Sequence, residues 1–341
     1  MKRKKTNTVL IGNVSVGGTN KIAIQSMTNT RTSDIKSTVN QINELEAAGC
    51  EVVRIAVLNM DDALSIGRIK KQITIPLVAD IHYDYKLAIE AVNQGIDKLR
   101  INPANLKNKD HIKEIVSLCK LKQISIRIGV NSGSFKNHDN VVEKMIEYAQ
   151  DNIDLLNELD FKDIVLSFKS SNLATTIEVN EIASSKWDYP LHIGVTEAGT
   201  EFSGGIKNAI GIGILLNKGI GDTLRVSITG DPVKEIKYCK EILKNFGLYD
   251  SYTLISCPTC GRLQYDMVEI AEQIEEYMQK SKKRLTIAIM GCSVNGPGEA
   301  KQAALALIGG VNEVLFVKDG IQIRKIKKNI VAEFIKEIEA Y

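Results

Sequence analysis

Between residues 22 and 246 the sequence repeats one unit eight times: a short apolar run, then a longer stretch with apolar residues at helical spacing. The runs fall at Ile22–Gln25, Glu51–Val57, Leu77–Ile81, Lys98–Ile101, Ser125–Val130, Ile164–Phe168, Leu191–Val195 and Leu224–Ile228. Continuous apolar runs, rather than alternating ones, belong to parallel strands covered on both faces. Eight such α/β units close into a (β/α)8 barrel of TIM type more naturally than they open into a doubly wound sheet. The open sheet is the alternative. It usually carries a Gly-rich loop after its first strand, and Gln25-Ser26-Met27-Thr28 is not one.

After Gly247 the pattern changes. Thr253–Ser256 and Leu285–Met290 read as strands that each run into a cysteine turn, with a helix over Tyr265–Gln279 between them. Leu305–Ile308, Glu313–Val317 and Ile321–Ile326 read as further strands, the last two joined by the hairpin turn Asp319-Gly320, and a helix closes the chain. The expected division is a barrel over residues 1–250 and a smaller α+β domain over 251–341.

Apolar residues make up 44% and charged residues 25%, enough apolar material for a buried core, and the net charge of +3 is too small to argue for nucleic acid. No stretch approaches the roughly 20 apolar residues of a membrane span, and the basic start Lys2–Lys5 runs into Thr6-Asn7-Thr8 rather than a signal core. A cytoplasmic protein is expected. There a Cys-x-x-Cys points to metal or redox chemistry before a disulfide. Cys50, Cys119 and Cys239 lie near the ends of helical patterns and read as small buried hydrophobes.

In a (β/α)8 barrel the working residues come from the carboxyl ends of the strands. Here those ends present Arg54, Asp80 with His82, Arg100 with Asn102, Arg127 with Asn131, Lys169, His192 with Thr196 and Glu197, and Arg225 with Ser227. Lys207 follows at a Gly204-Gly205 helix start. One strand-end arginine is ordinarily a surface ion pair. Four arginines and a lysine on one rim point to a bound polyanion, because guanidinium forks match phosphate oxygens. Glu197 among those cations reads either as an acid–base group or as an arginine partner. His82 and His192 read as hydrogen-bonding positioners as readily as catalysts.

The remaining three cysteines stand in Cys257-Pro258-Thr259-Cys260-Gly261-Arg262 and Gly291-Cys292-Ser293-Val294-Asn295-Gly296-Pro297-Gly298-Glu299. A closed zinc site takes four ligands, and no fourth Cys is near and no His follows residue 192. An iron–sulfur cluster also usually takes four Cys. Glu299 could fold back behind the Gly-Pro-Gly turn as a fourth ligand, or it could be a helix-start carboxylate near the dipole.

These motifs together resemble the 4-hydroxy-3-methylbut-2-en-1-yl diphosphate synthase (GcpE) family in its two-domain bacterial form. The resemblance runs the whole chain. It is carried by Gln25-Ser26-Met27-Thr28-Asn29-Thr30, Val78-Ala79-Asp80-Ile81-His82, Arg100-Ile101-Asn102-Pro103, Arg127-Ile128-Gly129-Val130-Asn131, Val195-Thr196-Glu197-Ala198-Gly199 and the two cysteine turns, which are highly specific as a pair. The resemblance implies a [4Fe-4S] cluster on Cys257, Cys260 and Cys292, with Glu299 completing it. It implies reductive ring opening and dehydration of 2-C-methyl-D-erythritol 2,4-cyclodiphosphate, with electrons from flavodoxin or ferredoxin. It also implies a homodimer in which the cluster domain of one chain caps the barrel of the other. The strand-end residues above are then expected to bind substrate, joined by Ser256 and Arg262 beside the first cysteine turn. Glu197 and Glu299 are the expected catalytic carboxylates.

Overall fold

In the computed structural model the chain divides into two units, Met1–Leu248 and Tyr249–Tyr341. Residues 2–341 are described, apart from 83, 107, 136–139, 282 and 311–312.

The first unit begins with a hairpin, β1 (Val9–Ile11) and β2 (Val14–Val16). Eight parallel strands follow: β3 (Ala23–Met27), β4 (Val52–Ala56), β5 (Leu77–Asp80), β6 (Lys98–Arg100), β7 (Ser125–Asn131), β8 (Ile164–Lys169), β9 (His192–Ile193) and β10 (Thr223–Leu224). Their order is β8-β7-β6-β5-β4-β3-β10-β9, and a parallel bridge between Leu166 and Leu191 joins the two ends. This is the (β/α)8 barrel that the repeat predicts.

The outer helices are α1 (Ile35–Ala48), α2 (Met60–Lys70), α3 (Tyr85–Asn93), α4 (Lys109–Lys122), α5 (Val141–Glu158), α6 (Leu173–Lys186), α7 (Glu201–Asn217) and α8 (Pro232–Asn245). Six of the eight start on an Asp or Asn whose side chain accepts a first-turn N–H: Asp34, Asn59, Asp84, Asn108, Asn172 and Asp231. Each cap satisfies one of the free donors of its helix and so fixes where the preceding loop leaves the mouth.

The last two barrel strands differ from the sequence reading, which gives them five residues each. Only two pair in each, because the chain then leaves the ladder to enter the mouth. Asn208 on α7 takes the ladder's place. It is fully buried, its Oδ1 accepts from the backbone N–H of Val195 (3.3 Å) and Ser227 (3.4 Å), and its Nδ2 donates to the Ser227 carbonyl (3.0 Å).

Inside the barrel the strand alternation stacks the inward side chains in storeys. Ala23, Val52, Val78 and Val165 pack against Val9, Ile11 and Val16, so the hairpin closes the amino end of the barrel. Two residues further along the strands the interior turns polar.

The second unit is α+β. Strands β11 (Thr253–Ser256), β12 (Thr286–Met290), β13 (Leu305–Gly310), β14 (Glu313–Lys318) and β15 (Ile321–Ile326) form one sheet in chain order, with the first three parallel and the rest antiparallel. Its helices are α9 (Met267–Lys280), the single turn α10 (Gly296–Glu299) and α11 (Ile330–Ala340). On one face Ile270, Ile274, Phe334 and Ile338 pack on Ile287, Leu307 and Phe316. The other face carries Ala288, Ala300, Ala303 and Ala306, small enough for the loops after β11 and β12 to lie close. No helix among the described residues is long and apolar enough to cross a membrane.

Candidate active site

The barrel mouth holds a cavity of about 90 Å³ lined by Arg54, Arg100, Arg127, Lys169 and Arg225, with Asn131, Ser167, Thr196 and Ser227 between them. Five cations on so small a cavity repel one another, and two buried carboxylates hold them in place. Asp80 lies 3.0 Å from the Arg100 guanidinium and 3.5 Å from that of Arg54. Burial opposes its charge, but Arg54, Arg100 and Arg127 together keep its carboxyl below the usual range. Glu235, on α8, grips Arg225 with both oxygens (2.9 and 3.0 Å) and accepts from the Ser26 hydroxyl (2.9 Å). Met27 places its sulfur 3.1 Å from the Arg54 Nε.

The charge that these carboxylates leave uncompensated faces the cavity. Arg127 is buried, and neither its Nε nor one terminal nitrogen has a hydrogen-bond partner among the described residues. The Nε of Arg100 is likewise unpartnered. Burial, then Arg54 and Arg100, push the Arg127 guanidinium well below its ordinary range, and burial, then Arg127 and Arg225, do the same to the Lys169 amine. Buried donors are normally satisfied, so a row of open ones aimed at a cavity marks where a ligand's acceptors go. Two glycines make room for the cations. A Cβ on Gly129 would stand 2.9 Å from the Arg100 Nε, and one on Gly194 would stand 2.9 Å from the Lys169 Nζ and 2.4 Å from the Arg225 carbonyl.

Other strand-end residues serve this mouth from its edges or lie outside it. His82 stacks its ring nitrogens against Arg100 (2.9 and 3.2 Å). The Asn102 side chain accepts from the Gly129 N–H (3.1 Å) and sets the β7 end. His192 is not at the rim. It is 1% exposed inside the barrel, with Nδ1 against the Thr223 hydroxyl. Lys207 is half-buried on α7 and Glu197 is exposed on the β9 loop, and neither lines the cavity. Sequence reasoning missed Glu235. Its burial, which nothing local signals, identifies it.

In the second unit Cys257, Cys260, Cys292, Arg262 and Glu299 line one cavity of about 170 Å³. Ser256 precedes it at the exposed end of β11. The donors are spread around the wall. Among the described residues no three His, Cys, Asp or Glu side chains converge on a single point. Backbone N–H groups are aimed at two of the sulfurs. The Gly291 N–H donates to the Cys257 sulfur (3.1 Å), and the backbone N–H groups of Val294 and Asn295, helped by Arg262, hold the Cys292 thiol below its ordinary value. The buried hydroxyl of Tyr265, on the Cys257 side, has no hydrogen-bond partner among the described residues. Soft donors set apart around a cavity, with N–H groups aimed at sulfur, fit a polynuclear iron–sulfur group. The other three cysteines are inert by comparison. Burial pushes Cys50 and Cys119 up to about 12 and Cys239 higher still.

Comparison with known proteins agrees with both halves. The GcpE TIM-barrel domain matches residues 6–240 and the GcpE protein C-terminal domain matches residues 253–340. The 4-hydroxy-3-methylbut-2-en-1-yl diphosphate synthase (flavodoxin) of Clostridium perfringens is 53% identical, covering 99% of this chain and 99% of that protein. The protein of the same name from Ruminiclostridium cellulolyticum is 50% identical over 99% of this chain and 98% of its own length. Among solved structures, the dihydropteroate synthase of Yersinia pestis superposes with a TM-score of 0.53 at 11% identity, covering 70% of this chain and 98% of that one, a likeness of barrel fold alone. With both domain families matched in order and half of all positions identical to full-length relatives, the chain belongs to the GcpE family of 4-hydroxy-3-methylbut-2-en-1-yl diphosphate synthases.

Proposed function

We propose that the chain opens the ring of 2-C-methyl-D-erythritol 2,4-cyclodiphosphate reductively and releases one oxygen as water, giving (E)-4-hydroxy-3-methylbut-2-enyl diphosphate on the methylerythritol phosphate route to isoprenoids. Flavodoxin, named for the relatives, is the electron donor, with ferredoxin as the substitute. The observation that carries this reading is the set of unpartnered guanidinium N–H groups of Arg127 and Arg100 at a mouth lined by five cations.

In this reading Cys257, Cys260 and Cys292 hold a [4Fe-4S] cluster and Glu299 provides the fourth, more easily displaced ligand. When bound, the cluster supplies one-electron transfers that no amino-acid side chain provides, together with a Lewis-acidic iron. The barrel residues bind and orient. Arg54, Arg100, Arg127 and Arg225 take the diphosphate oxygens, while Asn131, Thr196 and Ser227 offer uncharged partners. Because Asp80 and Glu235 already fix the forks, little reorganisation is needed when the diphosphate oxygen leaves carbon and gains charge. Arg262 and Ser256 flank the cysteine side. The free thiols of all six cysteines fit a reducing cytoplasm.

Glu197 handles the proton needed for water loss. Its backbone sits in the left-handed region at φ 51°, an arrangement that costs about 1–3 kcal/mol in a non-glycine residue and collects at functional sites. Glu197→Gln lowers turnover about 10²-fold or more while cluster content and substrate affinity hold. Full turnover in that variant would remove the role.

The working form is a homodimer, with the cluster domain of one chain serving the barrel of its partner. What supports it is a stripe on α7, where Phe202, Ile206, Ile210 and Ile214 are exposed at four-residue spacing, Phe202 by 79%. Ile206→Lys with Ile210→Lys yields a monomer by light scattering. A variant that stays dimeric moves the interface elsewhere. The reaction itself is tested by anaerobic purification and assay with reduced flavodoxin. A brown protein that converts the cyclic diphosphate supports the reading, and a brown protein that transfers electrons but leaves the substrate intact makes it a carrier.

A further inference from the structure

Lys98 is an ionisable side chain of the barrel interior that makes no ion pair with either carboxylate among the described residues. It stands on β6 two residues below Arg100, on the same inward face, and its register partner on β7 is Ser125. It is fully buried, and its Nζ has no hydrogen-bond partner among the described residues. What faces it from the other strands is cationic or neutral. Above it are Arg54 on β4 and Arg127 on β7, with Lys169 at the end of β8 and Arg225 beyond β10. His192 on β9 and Thr223 on β10 bond each other at its own depth. Gln25 on β3 and Ser125 have buried polar atoms without partners. The nearby carboxylates are committed elsewhere, Asp80 on β5 to Arg54 and Arg100, and Glu235 on α8 to Arg225.

A buried ammonium with no anion and no acceptor is too costly to keep, and the amine gives up its proton instead. Burial first, then Arg127 and Arg54, push Lys98 well below the ordinary lysine range. The balance moves towards the ammonium when a polyanion fills the mouth. Its charge offsets Arg54 and Arg127, which are the two groups pressing on Lys98, and Ser125 stands ready to accept from the ammonium.

We propose that Lys98 is a reserve cation, neutral in the free enzyme, that takes up a proton from solvent when the diphosphate anion occupies the mouth. It adds a positive charge beneath the ligand only while the ligand is there. This rests on the diphosphate reading of the mouth. The sign follows from linkage. Binding raises the affinity of Lys98 for its proton, so between its free and bound values affinity increases as pH falls, and outside that window the dependence on Lys98 vanishes.

Calorimetric titration of the full-length, cluster-loaded chain tests this with two probes, the cyclic diphosphate and inorganic diphosphate, across about pH 6 to 10 in buffers of different ionisation heat. Within the window between the free and bound values of Lys98, wild type takes up as much as about one proton per ligand. Lys98→Met and Lys98→Gln lose that uptake, bind about tenfold more weakly, and melt at or above the wild-type temperature because a buried amine is gone. Binding without proton uptake in wild type overturns the proposal and leaves the diphosphate reading standing. Uptake unchanged in both variants also overturns it, assigning the proton to Lys169 or His192. Failure of both probes to bind overturns the diphosphate reading and the proposal with it.

Discussion

Arg127→Met binds the cyclic diphosphate about 10²–10⁴-fold more weakly than wild type, while the iron content is unchanged and the barrel melts at a higher temperature. Two nitrogens of the buried Arg127 guanidinium have no partner among the described residues, so both bonds are open to a ligand. A hydrogen bond to a charged group contributes about 1.5–3 kcal/mol, and two of them account for the expected range. The rise in melting temperature has the same origin. Arg54 and Arg100 crowd this guanidinium and its nearest carboxylate is already shared between them, so the free protein carries strain that the ligand relieves. Methionine fills the space without the charge. Binding and thermal melting measured on one preparation check both halves. Affinity within about threefold of wild type would mean that the open donors of Arg127 serve something other than substrate.

The barrel was legible because its signal is periodic and repeated: eight apolar runs tolerate errors at any one boundary. The cysteine turns were legible because spacing and residue type are both unusual. What stayed hidden depends on which way a side chain points once the ring closes. Lys98 reads as an ordinary strand residue, and only the inward register of Arg100 two places on reveals that it has no water to reach. Glu235 follows Lys234 on a helix and looks like part of a solvated face. It is buried because Arg225 and Ser26, remote in sequence, both bond to it. Asp80 stands out in the sequence, but its pairing with Arg54 and Arg100 does not. Read with the residues at the strand ends, His192 belongs to the rim, but it is only the second residue of its run. Its register partner Thr223 pairs in turn with Ala23 of the closed amino end, so His192 lies a storey below the mouth, bonded to Thr223. The early stop of its two-residue strand is the work of Asn208, an unremarked residue in the middle of α7.

Cys292→Ser abolishes turnover, and the purified chain loses its visible absorbance and most of its iron and sulfide. The substitution changes one atom, so packing is preserved and the effect is chemical. A serine hydroxyl stays protonated where the Cys292 thiol is held low by the Val294 and Asn295 N–H groups and Arg262, and its oxygen is a hard donor where iron–sulfur chemistry selects soft ones. On the cluster reading Cys292 is the hardest of the set to replace, because it is buried where Cys260 and Glu299 are exposed. The barrel mouth is formed wholly by residues of the first unit, so the variant keeps diphosphate affinity within about threefold of wild type. That separates it from Arg127→Met, which loses affinity and keeps iron. Together the two variants assign anion binding to one unit and electron transfer to the other. A Cys292→Ser chain that retains its iron and its turnover would remove the second cysteine turn from the ligand set, and the cluster would have to be held by Cys257, Cys260 and residues outside this cavity.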